Sequence, residues 1–193
     1  MTGPVHTVPP FRALVAWVML GAASWAQAAD GKATDKPPVS KVLALGDVSV
    51  AIAWSPNWQL ETAAPKGMPG TVEFRAADRM QMVTMLTPIG GTPGLTADDA
   101  MKDLVTKSSR QFEGQAVEKE IRIQRISNGD AHGYFVCLTD KAPKPGEYKF
   151  LCQGLVSLRD LPINFILLYN DGGKQDAERV LAALKTIRIA EQT

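Results

Sequence analysis

Alternating hydrophobic and polar positions predict β-strands in the first half of the chain. At residues 71–76, Val72, Phe74 and Ala76 fall on one face and polar residues on the other, which indicates a half-buried strand. A turn follows, and the apolar residues 80–86 predict the second strand of a hairpin. Further upstream the pattern predicts two apolar segments separated by a Gly-Asp turn: residues 42–45 and residues 48–53.

Helical spacing replaces this alternation at two places. Thr96 is a favourable N-cap residue, and two aspartates follow it in what would be the first turn. The predicted buried stripe of this helix, before Gly114 ends it, is Met101, Leu104, Val105, Ser108 and Phe112. A second helix is predicted after the Asn-Asp-Gly-Gly turn at residues 170–173. Its core stripe is Ala177, Val180, Leu181 and Leu184.

The pattern of the remaining predicted strands indicates how the sheet is arranged. Residues 117–124 alternate as a half-exposed strand, and Asn128-Gly129 is a strong hairpin signal leading into the next strand. Residues 163–169 are apolar on both faces apart from Asn164, which is typical of a central strand covered on both sides. We therefore expect an α+β fold, with a mostly antiparallel sheet and helices packed on both faces as an α/β/α sandwich.

Two cysteines occupy positions that favour a disulfide. Cys137 and Cys152 lie in strand-like runs on either side of a Pro/Gly-rich turn at residues 141–146. If the strands pair about that turn, the two cysteines face each other directly, at a spacing that suits a disulfide. The alternative is a pair of buried free thiols. No Cys-x-x-Cys motif is present, so we expect a structural bond.

Residues 1–28 have the features of a secretory signal peptide. Arg12 precedes a short apolar run, and Ala26-Gln27-Ala28 provides small residues for cleavage. A membrane anchor is the alternative, but Ser24 and Gln27 interrupt the run before it reaches spanning length. We expect export to the periplasm, a flexible mature N-terminus at 29–40, one domain at 41–190, and no stable membrane insertion after cleavage.

Composition and charge narrow the class of protein. The chain of 193 residues contains 21 Lys and Arg against 20 Asp and Glu, and this balance excludes a globally basic nucleic-acid-binding protein. A hydrophobic content of 45% is that of a globular protein. After cleavage, His132 is the only histidine, so no site that requires two histidines from one chain is expected.

The order of elements resembles that of the PsbP-like superfamily, which includes exported bacterial proteins of the DcrB type. Ser55-Pro56-Asn57-Trp58 is similar to the Pro-x-Trp of that family after its first strand. Gly146-Glu147-Tyr148 opens a long strand and residues 174–185 form a closing helix, in the same order as in the family. The resemblance covers residues 43–189. It implies a binding or assembly role with no common active site and no catalytic residue.

Few residues of the chain suggest a catalytic or metal-binding site. Met80, Met82 and Met85 offer soft ligands, so a small copper carrier that uses Met80 and Met82 is an alternative function; the competing interpretation is a core strand. Glu118 and Glu120 are interpreted as a solvated strand face. His132 is interpreted as an exposed turn histidine. We predict no cofactor and no enzymatic activity.

The predicted function is therefore a non-enzymatic periplasmic binding or assembly-accessory protein, whose partner is another envelope protein or a small ligand. The candidate partner surface consists of Trp54, Trp58, Ile89 and Leu95. The two tryptophans either cap the core or present an exposed anchor to a partner. Ile89 and Leu95 belong to a Pro/Gly-rich loop, residues 87–95, which is either functional or a simple connection.

Overall fold

The computed structural model describes residues 37–61, 70–90, 94–129 and 131–190. The predicted signal peptide, and all but the last four residues of the predicted flexible N-terminus, lie outside the described residues. The strands are β1 Val39–Leu45, β2 Val48–Trp54, β3 Gln59–Leu60, β4 Val72–Arg75, β5 Met82–Pro88, β6 Gln124–Asn128, β7 Ala131–Thr139, β8 Phe150–Leu158, β9 Leu161–Tyr169 and β10 Arg188–Ile189. The helices are α1 Asp98–Arg110 and α2 Lys174–Lys185, the latter entered through a 3₁₀ turn, Asp171–Gly173.

The fold is α+β with antiparallel pairing, as predicted, but the strands form two sheets instead of one. The large sheet has seven strands in the order β3-β4-β5-β9-β8-β7-β6, and the small sheet has three in the order β1-β2-β10. The β1–β2 hairpin turns at Gly46, whose φ of +59° suits glycine. Because β10 at the end of the domain pairs with β2, this hairpin completes a sheet of its own.

Strand β9 is the centre of the large sheet, which confirms the prediction made from its apolar pattern. It pairs with β5 on one side and β8 on the other, as the fourth of seven strands. Successive side chains of a strand point to opposite faces. Phe165 and Leu167 accordingly belong to one hydrophobic core and Ile166 and Leu168 to another.

Each core contains one helix. The first core combines α2 with the inward side chains of the small sheet, and its members include Val50, Ile52, Phe74, Phe165, Ala177, Val180 and Leu184. The second core contains α1, and its members include Val83, Met101, Val105, Phe112, Ile166 and Leu168. No helix among the described residues is long and apolar enough to cross a membrane.

The disulfide and its strand register are as predicted. Cys137 and Cys152 are directly opposed in the β7–β8 pair and are bonded, with Cα atoms 4.1 Å apart. Thr139 faces Phe150 in the same register. Cys152 is fully buried in the first core, so one sulfur of the bond is shielded from solvent.

Helix α1 begins one residue later than predicted. Its N-cap is Ala97, which has no side-chain capping bond, so the cap assigned to Thr96 is wrong. The carbonyl of Thr96 instead lies 3.0 Å from His132 Nε2. Met101, Val105 and Ser109 form the buried line of the helix. Leu104 is predicted to be part of the buried stripe, but in the structure it lies beside the buried line and is 40% exposed.

The strand predicted at residues 117–124 does not form, because β6 begins only at Gln124. The main-chain N–H of Thr139, which a longer β6–β7 ladder would need, is hydrogen-bonded to a side chain instead. The Glu118 carboxylate accepts hydrogen bonds from Thr139 N at 2.9 Å and from Thr139 Oγ1 at 2.8 Å. Glu118 therefore closes this segment against the end of β7, and the interpretation of its side chain as a solvated strand face is wrong.

Candidate functional site

The two tryptophans of the predicted partner surface are buried. Trp54 is 4% exposed and Trp58 is 5% exposed, and both rings pack against Phe74 with centroids 5.1 and 5.2 Å away. Trp58 Nε1 donates a hydrogen bond to Asp176 of α2 at 2.9 Å. These contacts correct the exposed-anchor interpretation in favour of its alternative: the tryptophans belong to the first core and attach α2 to it.

The apolar side chains of the 87–95 loop are also engaged with the fold. Leu95 is buried in the second core, and the half-buried Ile89 packs against it. The main-chain N–H of Ile89 donates to the Pro162 carbonyl at 2.8 Å. Ile89 and Leu95 are therefore not an exposed surface here, because both contact the second core. Residues 91–93 of the loop lie outside the described part of the chain.

The three methionines are not brought together. Met82 belongs to the first core, Met85 to the second, and Met80 lies in the turn before β5. The sulfur of Met82 accepts a hydrogen bond from Thr84 Oγ1 at 3.2 Å. Within the described ranges, no three His, Cys, Asp or Glu side chains are grouped to hold a metal ion.

A polar cluster joins the start of α1 to the β6–β7 hairpin. Tyr134 Oη donates to Asp98 at 2.6 Å, and the Arg125 guanidinium lies 3.5 Å from the same carboxylate. The hydrogen bond to Asp98 raises the pKa of Tyr134, because it favours the protonated phenol. His132 is half-buried and bonded to Thr96, so its interpretation as an exposed turn histidine is wrong. These groups fix the helix to the sheet.

A buried ion pair lies at the other end of the large sheet. Glu73 of β4 is 7% exposed, and its Oε1 lies 2.6 Å from Arg79 Nη2. Burial raises the pKa of the Glu73 carboxyl, and the neighbouring Arg79 partly offsets this. Burial also raises the pKa of Tyr148 to about 12. Tyr148 Oη donates to the Arg79 carbonyl at 2.8 Å, so the cluster holds the β4–β5 turn in place.

The small sheet presents an unusual face to solvent, which we call the outer face. Directly opposed residues of antiparallel strands point to the same side. In this sheet Ser40 is opposed to Ala53, and Ala51 is opposed to Val42 on one side and to Arg188 on the other. The outer face consists of Ser40, Val42, Ala44, Ser49, Ala51, Ala53 and Arg188. Solvent-facing sheet surfaces are ordinarily polar. Here Val42 is 60% exposed, Ala51 between it and Arg188 is only 6% exposed, and Arg188 is the single charged member.

A groove of about 210 Å³ lies at one end of the small sheet. It is lined by residues 38–40 at the start of β1, residues 51–53 of β2, and Thr186 and Arg188. Thr186 and Arg188 are exposed, and Arg188 makes no ion pair with any of the described residues. The groove therefore combines a wall of small side chains with one accessible cation.

Sequence reasoning missed the outer face, although the chain carries a signal for it. Once the Gly46 turn pairs β1 with β2, the alternation assigns Leu43 and Val50 to the core and leaves Val42, Ala44 and Ala51 outside. An outward set of residues without Lys or Glu differs from the polar surface that a solvent-facing sheet ordinarily carries. The position of Arg188 on this face could not be predicted from the neighbouring sequence, because β10 pairs with β2 only in the tertiary fold.

No protein-family model matches the chain, and a search of curated proteins finds no significant match. The geometry of the outer face and its groove is therefore the basis for assigning a function.

Proposed function

We propose that the protein is a non-enzymatic, exported binding or assembly-accessory protein of the periplasm, and that it binds its partner through the outer face. The observation that carries the proposal is the outer face of the small sheet, where Arg188 is the single charged member, with an open groove at its end. A solvent-facing sheet surface is ordinarily polar, and the small, mostly uncharged residues of this face depart from that pattern, which supports a binding role. The partner is an envelope protein or a small ligand; the balanced charge argues against nucleic acid.

The disulfide supports export. Disulfides persist in the periplasm and outside the cell, whereas cytosolic thiols are kept reduced. The Cys137–Cys152 bond closes a loop of 15 residues between two paired strands, as a structural bond of an exported domain would. The signal-like sequence at residues 1–28 supports the same compartment.

The use of the polar groups supports binding over catalysis. Asp98 is engaged by Tyr134 and Arg125, and Glu73 by Arg79. A general acid or base must be within reach of a substrate proton. These carboxylates instead join elements of the fold, whereas the groove of the outer face is open to solvent.

We further propose that the two helices cover opposite faces of the large sheet, in a PsbP-like α/β/α arrangement. Supporting this, α1 shares a core with Ile166 and Leu168, whereas α2 shares the other core with Phe165 and Leu167. The small sheet would then be an addition beside α2 that leaves its own outer face uncovered.

In-cell photo-crosslinking tests the proposed function. A photoreactive phenylalanine analogue replaces Val42 on the outer face or, as the matched control, Leu104 on the exposed rim of α1. We expect a discrete adduct from position 42, none of the same mass from position 104, and loss of that adduct when Ala53→Leu fills the groove. Identical adducts from both positions, or an adduct from position 42 that survives Ala53→Leu, would overturn the proposal.

A further inference from the structure

We propose that the groove binds the free C-terminal carboxylate of a partner protein chain that ends in an apolar residue. This inference rests on the proposed function and specifies what the groove recognises. Two features of the site carry it: the single cation, and the size and chemistry of the space beside it.

Arg188 provides the charge. It is the only charged side chain in the groove lining, and it is exposed and without an ion-pair partner among the described residues. A guanidinium group presents a planar fork of donors that matches the two oxygens of a carboxylate. Among the described residues no carboxylate lines the groove, so a carboxylate that pairs with Arg188 there would belong to the occupant.

The space beside Arg188 suits one apolar side chain. Its volume of about 210 Å³ is below the range for drug-sized ligands, about 300–1,000 Å³. Ser40, Ala51 and Ala53 are small and uncharged, and Ala51, which is 6% exposed, is directly opposed to Arg188 in the β2–β10 pair. An apolar group seated on these residues would therefore lie next to the guanidinium.

The proximity of cation and apolar space favours a chain terminus over an internal Asp or Glu. In an extended chain, neighbouring side chains point in opposite directions, so an internal carboxylate and an adjacent apolar group diverge. A C-terminal residue carries its carboxylate and its side chain on the same Cα. Capture of terminal carboxylates is an established mode of peptide recognition.

The test titrates the purified exported protein with two peptides and follows backbone amide signals by NMR. The first is acetyl-Gly-Ser-Ala-Leu with a free carboxylate, and the second is the same peptide as its C-terminal amide. We expect the free acid to shift the signals of Ser40, Ala51, Ala53 and Arg188. Loss of the charged hydrogen bonds predicts binding at least about ten-fold weaker for the amide.

Two variants complete the experiment. Arg188→Gln is expected to reduce the affinity for the free acid to that for the amide, whereas Arg122→Gln, at an exposed arginine outside the groove, leaves it unchanged. Equal binding of the two peptides, or shifts confined to residues outside the groove, would overturn the inference. Octanoate provides a carboxylate without a peptide, and tighter binding of octanoate than of the free acid would also overturn it.

The two proposals fail separately. If position 42 gives an adduct that Ala53→Leu abolishes, but the peptides do not discriminate, the outer face binds a partner and the terminal-carboxylate inference is wrong. If the free acid binds in the groove but no such adduct forms in cells, the recognition chemistry stands and the proposed function fails.

Discussion

The two sheets differ in what covers them. Strand β9 of the large sheet has apolar side chains in both cores, whereas β2, the central strand of the small sheet, sends Val50, Ile52 and Trp54 inward and leaves Ala51 and Ala53 on the outer face. Around the large sheet, polar groups such as Glu73 of β4 and Asp98 of α1 are engaged in fixing turns and helices. This difference is the basis of our proposal that the small sheet carries the interaction surface, with the large sheet as its scaffold.

The largest loss of stability is expected at a close backbone approach in the large sheet. A Cβ added at Gly154 would lie 2.3 Å from the Tyr134 carbonyl oxygen, which neither strand can avoid without breaking the β7–β8 ladder. Gly154→Ala should lower the free energy of unfolding by about 4 kcal/mol, measured by urea denaturation. Gly90→Ala is the control, because no described atom lies within 4 Å of its added Cβ, and it should change stability little.

Removing the disulfide should have the next largest effect. The bond closes a loop of 15 residues, and Cys137→Ser with Cys152→Ser should cost about 3 kcal/mol through the greater entropy of the unfolded chain. Urea denaturation of the double variant measures this cost. Under conditions where the double variant is folded, the adduct from position 42 should be unchanged. Loss of that adduct from the folded variant would contradict the separation of scaffold and interaction surface.

The buried ion pair predicts a pH-dependent effect in the large sheet. Because burial raises the pKa of Glu73 in the fold, the folded state holds this proton more tightly than the unfolded chain does. The stabilisation from this proton is fully present below the ordinary pKa of 4.5 and is lost as the pH rises through the higher folded pKa.

Glu73→Gln removes this titration and thereby tests the pH effect. Relative to the variant, the wild type should be more stable at about pH 4 than at about pH 7, measured by urea denaturation at both values. Glu120→Gln, at an exposed carboxylate, should show no such difference. The opposite pH trend for Glu73→Gln would contradict the assigned direction of the pKa shift.

The smallest stability effect is expected on the outer face. Val42→Thr replaces a methyl group of a side chain that is 60% exposed, so the free energy of unfolding should change by less than about 0.5 kcal/mol. The same change should weaken partner binding, seen as a reduced adduct yield from a photoreactive residue at position 40. A loss of stability comparable to that of the disulfide variant would show that the outer face belongs to the scaffold.

The predictable part of the fold is the part determined by local pattern. The turn at residues 141–146 set the pairing of Cys137 with Cys152, and the uninterrupted apolar run set β9 at the centre. The division into two sheets was not predictable, because it depends on β10 pairing with β2 across most of the chain. The failure at residues 117–123 has a similar cause, since Glu118 binds Thr139, 21 positions away.

The candidate site was harder to predict than the fold. Tryptophans suggested a partner anchor by residue type, but the contact of Trp58 with Asp176 and the packing of both rings on Phe74 place them in the core. The outer face consists of residues with little chemistry of their own. It becomes recognisable only when the pairing of β1, β2 and β10 brings Val42, Ala51 and Arg188 to one side.

Hydrogen–deuterium exchange of the exported protein, in buffer and in concentrated envelope extract, is the most direct test of the central claim. We expect the extract to slow exchange of the β1 amides at residues 40–44, and Ala53→Leu to abolish this protection. Slower exchange at the exposed surface of α1 or at the β6 edge, with β1 unchanged, would contradict the assignment of the small sheet as the interaction surface.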